Sequence, residues 1–367
     1  MRVRILTVPA PASPSDDAAW ALRGAVEVER AVHVQTFGYQ DLAETLPEVW
    51  AWLRDERYGR RLRFVAVVGE GERPRVVGSG LLNLPIPDNT HLGEAWVAVE
   101  PGFRRRGVGR ALAEHVEREV RAAGRRLVHS WTDHAQEAAV VDRSPDLALV
   151  PPTGQGRVPL DHSSRFARSR GYVLEQAERQ SVLDLPVEPA RLERLHAAAS
   201  TVAGAQYRLV TWADAAPDAF LDAYALLHTR MSTDTPLAGM EYEEDVFDAA
   251  RARDFERTHR ESGHRLLVAA AEHRPSGVLA AFTVLVVREG KPPAVFQDST
   301  LVLREHRGHR LGMLVKVANV RALESSFPTA ERVHTWNAVE NEPMLAINVG
   351  LGFAPAGIQG QWQKRLT

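Results

Sequence analysis

The sequence predicts an α/β protein, built as two tandem copies of one α+β fold with a mixed sheet, and three observations point to it. The first is length: 367 residues exceed one ordinary core and suit two domains of under roughly 200 residues each. The second is internal repetition. Arg104-Arg105-Arg106-Gly107-Val108-Gly109 corresponds to Arg307-Gly308-His309-Arg310-Leu311-Gly312, Val128-His129-Ser130-Trp131 to Val333-His334-Thr335-Trp336, and Arg170-Gly171-Tyr172 to Leu351-Gly352-Phe353. The third is that the surrounding pattern repeats too: three apolar strands, an Arg- and Gly-rich turn, then a helix.

In the first half, helices are expected around 17–35 and 41–56, followed by strands at about 62–69, 75–84 and 92–99, each bounded by Gly, Pro or charge. A helix follows from about 107 to 123, with Val108, Leu112, His115, Val116 and Val120 at helical spacing and Gly124 at its end. The second half repeats the order: helices around 216–231 and 243–261, strands near 265–272, 277–287 and 294–302, a helix near 311–325 and a strand at 331–336. A helical stretch at 188–203 joins the halves. The expected domains are therefore 1–185 and 206–367, with a helical linker at 186–205. The first copy carries about 24 extra residues after Trp131 (an insertion at about 132–160), rich in Pro and Gly and long for a plain connection.

Composition narrows the function. A net charge of -2 gives no global field favouring nucleic acid or an anionic membrane. No apolar run approaches the length that spans a bilayer, and Met1–Leu6 lacks the apolar core of a signal peptide, so a cytoplasmic location is expected. The absence of cysteine excludes disulfides, thiolate metal sites and a cysteine nucleophile. The histidines show no metal-ligand spacing, and no metal is expected.

The chemistry lies in the repeated turn. Where a strand runs through an Arg-Gly turn into a helix, backbone N–H groups and the helix dipole form an anion cradle. Glycine lets the backbone approach a phosphate closely, and Arg adds charge-assisted hydrogen bonds. One such turn could be a solvated helix start; two after matched strands favour pyrophosphate.

The first copy, Val97-Ala98-Val99 to Gly109, resembles the acetyl-CoA loop of the GNAT acetyltransferases, Arg/Gln-x-x-Gly-x-Gly/Ala after a strand, with Arg104, Gly107 and Gly109 at the patterned positions. The second copy departs from it at Arg310, where the middle Gly is expected. A second family motif is clearer at the C-terminus: Asn341-x-x-Met344-x-x-Ile347-Asn348-x-x-x-Gly352-Phe353 is similar to Asn-x-x-Ala-x-x-Leu-Tyr-x-x-x-Gly-Phe. Asn348 stands where the family carries its general-acid Tyr, and Ala167 stands there in the first half.

The resemblance, which covers roughly the whole chain in a layout similar to the mycothiol synthases, implies tandem GNAT domains transferring an acetyl group directly from the co-substrate acetyl-CoA to a primary amine of a small molecule. It implies a splayed strand pair whose backbone receives pantetheine, with Val97 and Val99 as partners in the first half and Thr300 and Val302 in the second. The loops would bind the diphosphate through Arg104, Arg105, Arg106, Gly107, Val108, Gly109 and Arg110, and through Arg307, Gly308, His309, Arg310, Leu311 and Gly312, with Asn341 contributing. Glu94 is the expected base, with Gln297 as its counterpart and Asp298 beside it; Asn348 occupies the acid position. The alternatives are a non-catalytic acyl-CoA-binding or regulatory protein and an acyltransferase on an amino-sugar or antibiotic amine. His129, His334, Trp131 and Trp336 read as packing residues. The acidic run Glu241–Asp245 reads as a helix N-terminal turn, leaving Asp234 and Glu241 as weaker anchors for a cationic amine.

Overall fold

A computed structural model describes residues 2–135, 147–288 and 293–366. It divides into two compact units: Met1–Ala177 with Ala238–Met240 and Ile358–Thr367, and Glu178–Leu237 with Glu241–Gly357.

The first unit runs β1 (Arg4–Val8), α1 (Trp20–Phe37), α2 (Leu46–Arg54), β2 (Gly59–Val68), β3 (Arg75–Pro85), β4 (Leu92–Val99), α3 (Val108–Ala122), β5 (Leu127–Ala135), a two-stranded ribbon of β6 (Ala148–Leu149) and β7 (Val158–Pro159), α4 (His162–Ser169) and the start of β8 (Val173–Asp184). The order β1-β2-β3-β4-β5 is antiparallel until the parallel pair β4/β5. Both faces of the sheet are covered, and alternate residues of β2 serve different cores. Phe64 and Ala66 pack with Leu112, Val116 and Val120 of α3, whereas Val65 and Val67 pack with Leu22, Val26, Val49 and Leu53 of α1 and α2. Helix α2 starts at a Thr45/Glu48 capping box.

The second unit holds the rest of β8, then α5 (Pro189–Ala203), β9 (Tyr207–Ala213), α6 (Leu221–Asp234), α7 (Ala249–Glu261), β10 (His264–His273), β11 (Val278–Arg288), β12 (Ala294–Val302), α8 (Leu311–Ser326), β13 (Arg332–Ala338), α9 (Glu342–Leu351) and the start of β14 (Ala354–Arg365). The order is β9-β10-β11-β12-β13-β8, with β12/β13 again the parallel pair. Leu266 to Ala271 of β10 are all buried, as a strand covered on both faces requires.

The paired loops share their local geometry. Each parallel strand ends in a one-turn 3-10 helix, Pro101–Phe103 or Arg304–His306. The following Arg then donates from Nε to the carbonyl of the strand's last residue: Arg104 to Val99 at 3.3 Å and Arg307 to Val302 at 3.3 Å.

The expected boundaries do not coincide with the compact units. Glu178–Asp184 belongs to the second unit because it pairs along β13, and the helix expected as a linker, α5, packs there on α8. The last ten residues return to the first unit, where the Trp362 indole, 1% exposed, donates to Thr132 Oγ1 at 2.9 Å and Leu366 N–H bonds to Arg126 O. The helix expected from 243 begins at Ala249, because Asp248 caps it and Phe247 N–H is held by Thr229 Oγ1. Glu241–Asp245 is therefore irregular chain before the helix. Of the expected insertion, residues 136–146 lie outside the described residues; 147–160 contain the small ribbon.

Candidate active site

The site in the first unit grows from a strand pair that stops pairing. β4 and β5 are in register only at Leu92/Leu127, Gly93/Val128 and Glu94/His129. Beyond these, Ala95–Val99 and Ser130–Asp133 border a cavity of about 1050 Å³. Leaving one side of β4 without a partner exposes a row of backbone donors and acceptors to whatever enters.

At the end of β4 the chain reaches the loop. Gly107 takes φ +85° as the residue before α3, a left-handed conformation that glycine adopts without strain. No side chain caps α3, so the N–H groups of its first turn remain for an anion. A Cβ on Gly109 would lie 3.4 Å from Phe166 and 3.5 Å from Val99, in van der Waals contact with α4 and β4, so a longer side chain has little room. Arg104, Arg105, Gly107, Gly109 and Arg110 line the cavity together with Val97 and Val99. Arg106 instead lies over the Phe103 ring, and Val108 is buried in the α3-side core.

Residues 29–140 match the acetyltransferase (GNAT) family model. A tandem GNAT protein from the clavulanic acid biosynthesis pathway, solved without acetyl-CoA, has a TM-score of 0.73 over 99% of this chain and 98% of that one, at 24% identity. Residues 29–140 carry the family match, and the chain as a whole shares the tandem GNAT fold. A GCN5-related N-acetyltransferase from Sphaerobacter thermophilus gives a TM-score of 0.58 at 13% identity, covering 98% of this chain and 95% of that one. A GCN5-related glucosamine N-acetyltransferase region of a fungal multi-domain GH3 beta-N-acetylglucosaminidase gives 0.59 at 11% identity, covering 99% of this chain and 38% of that one. The sequence matches none of the curated proteins with which it was compared.

In the second GNAT domain the corresponding space is built differently. Arg310, the residue before α8, takes φ +55°, the left-handed region that Gly107 takes in the first domain. Arg307 and Arg304 both reach Asp234, at 3.5 Å and 3.0 Å, so this carboxylate is engaged by the loop. Gly312 lies against Ile347, whose Cδ1 would be 2.9 Å from an added Cβ. Most telling is Lys316, in the second turn of α8 at the position equivalent to cavity-lining Ala113. It is 1% exposed, and its Nζ donates to Asn348 Oδ1 at 2.9 Å and Gln297 Oε1 at 3.3 Å, over the Phe353 ring. Burial lowers its pKa from 10.5 to about 7. Asn348 is itself buried and donates to Asn337 Oδ1 at 2.7 Å. The side chain expected at an acid position thus belongs to a closed polar network around a buried lysine. Asn341 caps α9 through Met344 N–H.

The expected bases are also relocated. Glu94 accepts from Asn83 Nδ2 at 2.8 Å and feels Arg61. It is the last β4 residue paired to β5 and does not line the cavity, which opens only beyond it. Its counterpart is not Gln297: as Glu94 lies opposite His129, Phe296 lies opposite His334. A register shift in the β11/β12 ladder leaves Asp298 as the extra residue. Asp298 is exposed and accepts from Ser299 Oγ at 2.8 Å; Gln297 donates to Thr283 Oγ1 and Val284 O.

His129 is a packing residue as expected, buried and bonded to Gln363 Oε1 at 3.0 Å. Trp131 is not simply core. It borders the cavity and stacks on Trp96, which stacks on His33 of α1. Asp133, Ser130, Thr132 and His162 line the cavity as well. Burial, reinforced by Arg104 and His134, lowers the pKa of His162 despite Asp161 beside it. Ser130 and Trp131 lie in the repeated Val-His-Ser/Thr-Trp segment, and alternation along the unpaired end of β5, continued past Trp131, could have pointed to Thr132 and Asp133; nothing in the sequence marks His162.

Proposed function

We propose that the protein is an acyl-CoA-dependent N-acetyltransferase that works from its first GNAT domain, transferring the acetyl group of acetyl-CoA directly to a primary amine of a small molecule. The observation that carries this reading is the uncapped start of α3, with Gly107 and Gly109 and three arginines, opening into the gap where β4 leaves β5. Its residues fit acetyl-CoA: amides and guanidinium groups suit a diphosphate, and the free edge of β4 at Val97 and Val99 suits the amides of pantetheine. A backbone N–H of β4 would polarise the thioester carbonyl where charge develops. With no cysteine in the chain no cysteinyl acyl-enzyme can form, and in this reading the amine attacks the thioester itself.

The second domain, in this reading, is a scaffold. The volume that Ala113 leaves open in the first domain is taken by Lys316 in the second, and a buried side chain held by Asn348 and Gln297 resists displacement.

A second reading, an acyl-CoA-binding protein without turnover, draws on Ala167, which lines the cavity where the family carries a proton donor. Thiol release from acetyl-CoA over a panel of amines separates the two. Amine-dependent release with a matching N-acetyl product supports the enzyme; tight CoA binding without release for any amine refutes it.

A further inference from the structure

Among the described residues two carboxylates line the cavity, Glu114 and Asp133, and they differ in kind. Glu114, on α3, is bonded to Arg170 at 3.3 Å. Asp133 lies on the diverging end of β5 and has no cationic partner among the described residues. Its Oδ1 accepts from Gln359 Nε2 at 2.7 Å, and Gln359 Oε1 in turn accepts from Gln361 Nε2 at 2.7 Å. This relay, supplied by the C-terminal strand within the first unit, holds one oxygen of the carboxylate, and among the described residues no hydrogen bond engages the other.

Strand alternation decides which side Asp133 serves. On β5, His129, Trp131 and Asp133 point to one face and Ser130, Thr132 and His134 to the other. The second face is that of α4, since His134 bonds Asp161, which caps that helix. The first is that of α1: Trp131 stacks on Trp96 at 6.3 Å and 11°, and Trp96 on His33 at 5.8 Å and 9°. The cavity therefore has a loop end rich in arginine and, on the α1 side, an aromatic wall ending in one carboxylate. An anion fits the first. A cation carried on an apolar body fits the second, because a carboxylate supplies the charge partner and tryptophan faces attract both cations and apolar surface.

We propose that Asp133 receives the ammonium group of the acceptor, and that the acceptor is a cationic primary amine whose apolar portion lies against Trp131 and Trp96. This rests on the first domain being the acetyl-CoA site. On attack, nitrogen forms the C–N bond as the thioester C–S bond breaks. Of the two protons nitrogen loses, one passes to the Asp133 carboxylate and then to water, and the other leaves with the thiolate as free CoA.

The test uses the full chain, with 2-phenylethylamine as the cationic probe and aniline as its neutral counterpart at pH 7. Binding of 2-phenylethylamine to the CoA-loaded protein by calorimetry is expected to weaken about 100-fold in Asp133→Asn, matching the loss of one charge-assisted contact, and to recover in part in Asp133→Glu. CoA affinity stays unchanged. The preference for 2-phenylethylamine over aniline, in binding and in kcat/KM, is expected to vanish in Asp133→Asn and persist in Glu94→Gln. Unchanged 2-phenylethylamine binding or an undiminished preference in Asp133→Asn overturns the assignment. Asp133-dependent binding with no thiol release in the wild type supports the subsite while refuting the enzyme reading.

Discussion

The double variant Gly107→Val, Gly109→Val probes the cradle directly. Gly107 sits at φ +85°, where a β-branched residue costs about 1–2 kcal/mol or forces the turn to another conformation. Gly109 has Phe166 and Val99 at 3.4 and 3.5 Å from an added Cβ, so two further methyl groups collide with α4 and push the helix start away from it. Either change withdraws the amides of Val108 to Arg110 from the diphosphate. Hydrogen bonds to a charged group are worth roughly 1.5–3 kcal/mol each, so losing two costs about 3–6 kcal/mol. That is on the order of 10²- to 10⁴-fold in dissociation constant. Calorimetric titration with CoA at fixed ionic strength measures it, and a thermal melt of the same sample checks that the fold persists. CoA affinity within about threefold of wild type in a folded double variant would refute the placement of the cofactor. The matched control is Lys316→Ala in the second domain, which is expected to leave CoA affinity unchanged.

Lys316 also makes a pH prediction. Its folded pKa of about 7 lies below the 10.5 of the exposed group, so between those values the unfolded chain binds the extra proton and stability falls as pH drops from above 10 through 7, levelling below. At about 1.4 kcal/mol per pH unit the penalty near pH 7 is on the order of 4 kcal/mol, and denaturant titrations at pH 7 and 9 are expected to show the slope in wild type and its loss in Lys316→Met. His228 and His259 are held to about 4, chiefly by burial. The second unit should therefore lose stability as pH falls from 6.5 through 4, and His228→Phe should lessen that loss in melts followed over this range. Trp362→Ala removes a buried side chain of the last strand and its bond to Thr132. A cost of about 3–5 kcal/mol is expected to fall on the first unit, read as earlier proteolysis there and a lower melting temperature for CoA-loaded protein.

The repeated strand, Arg-Gly turn and helix were legible in the chain itself, because a phosphate cradle is local chemistry. A left-handed glycine, a helix start and arginines within a few residues suffice to write it, and the amphipathic spacing of α3 marks its buried face. The same locality hid the rest. That β8 and β14 serve units other than those their motifs suggest depends on which strand edge each extended run finds, and an edge has no sequence signature of its own. Glu94 looked like the base because a strand carboxylate near the loop fits a family pattern; the splay beginning after Glu94 turns the cavity toward Trp131 and Asp133 instead. Only the β12 ladder, with Asp298 bulged, reveals that Phe296 and not Gln297 is the counterpart. Nothing in the sequence singles out Lys316 on its helix. Its meaning comes from Asn348 on α9, Gln297 on β12 and Phe353 in the turn after α9, a contact set that tertiary packing alone assembles.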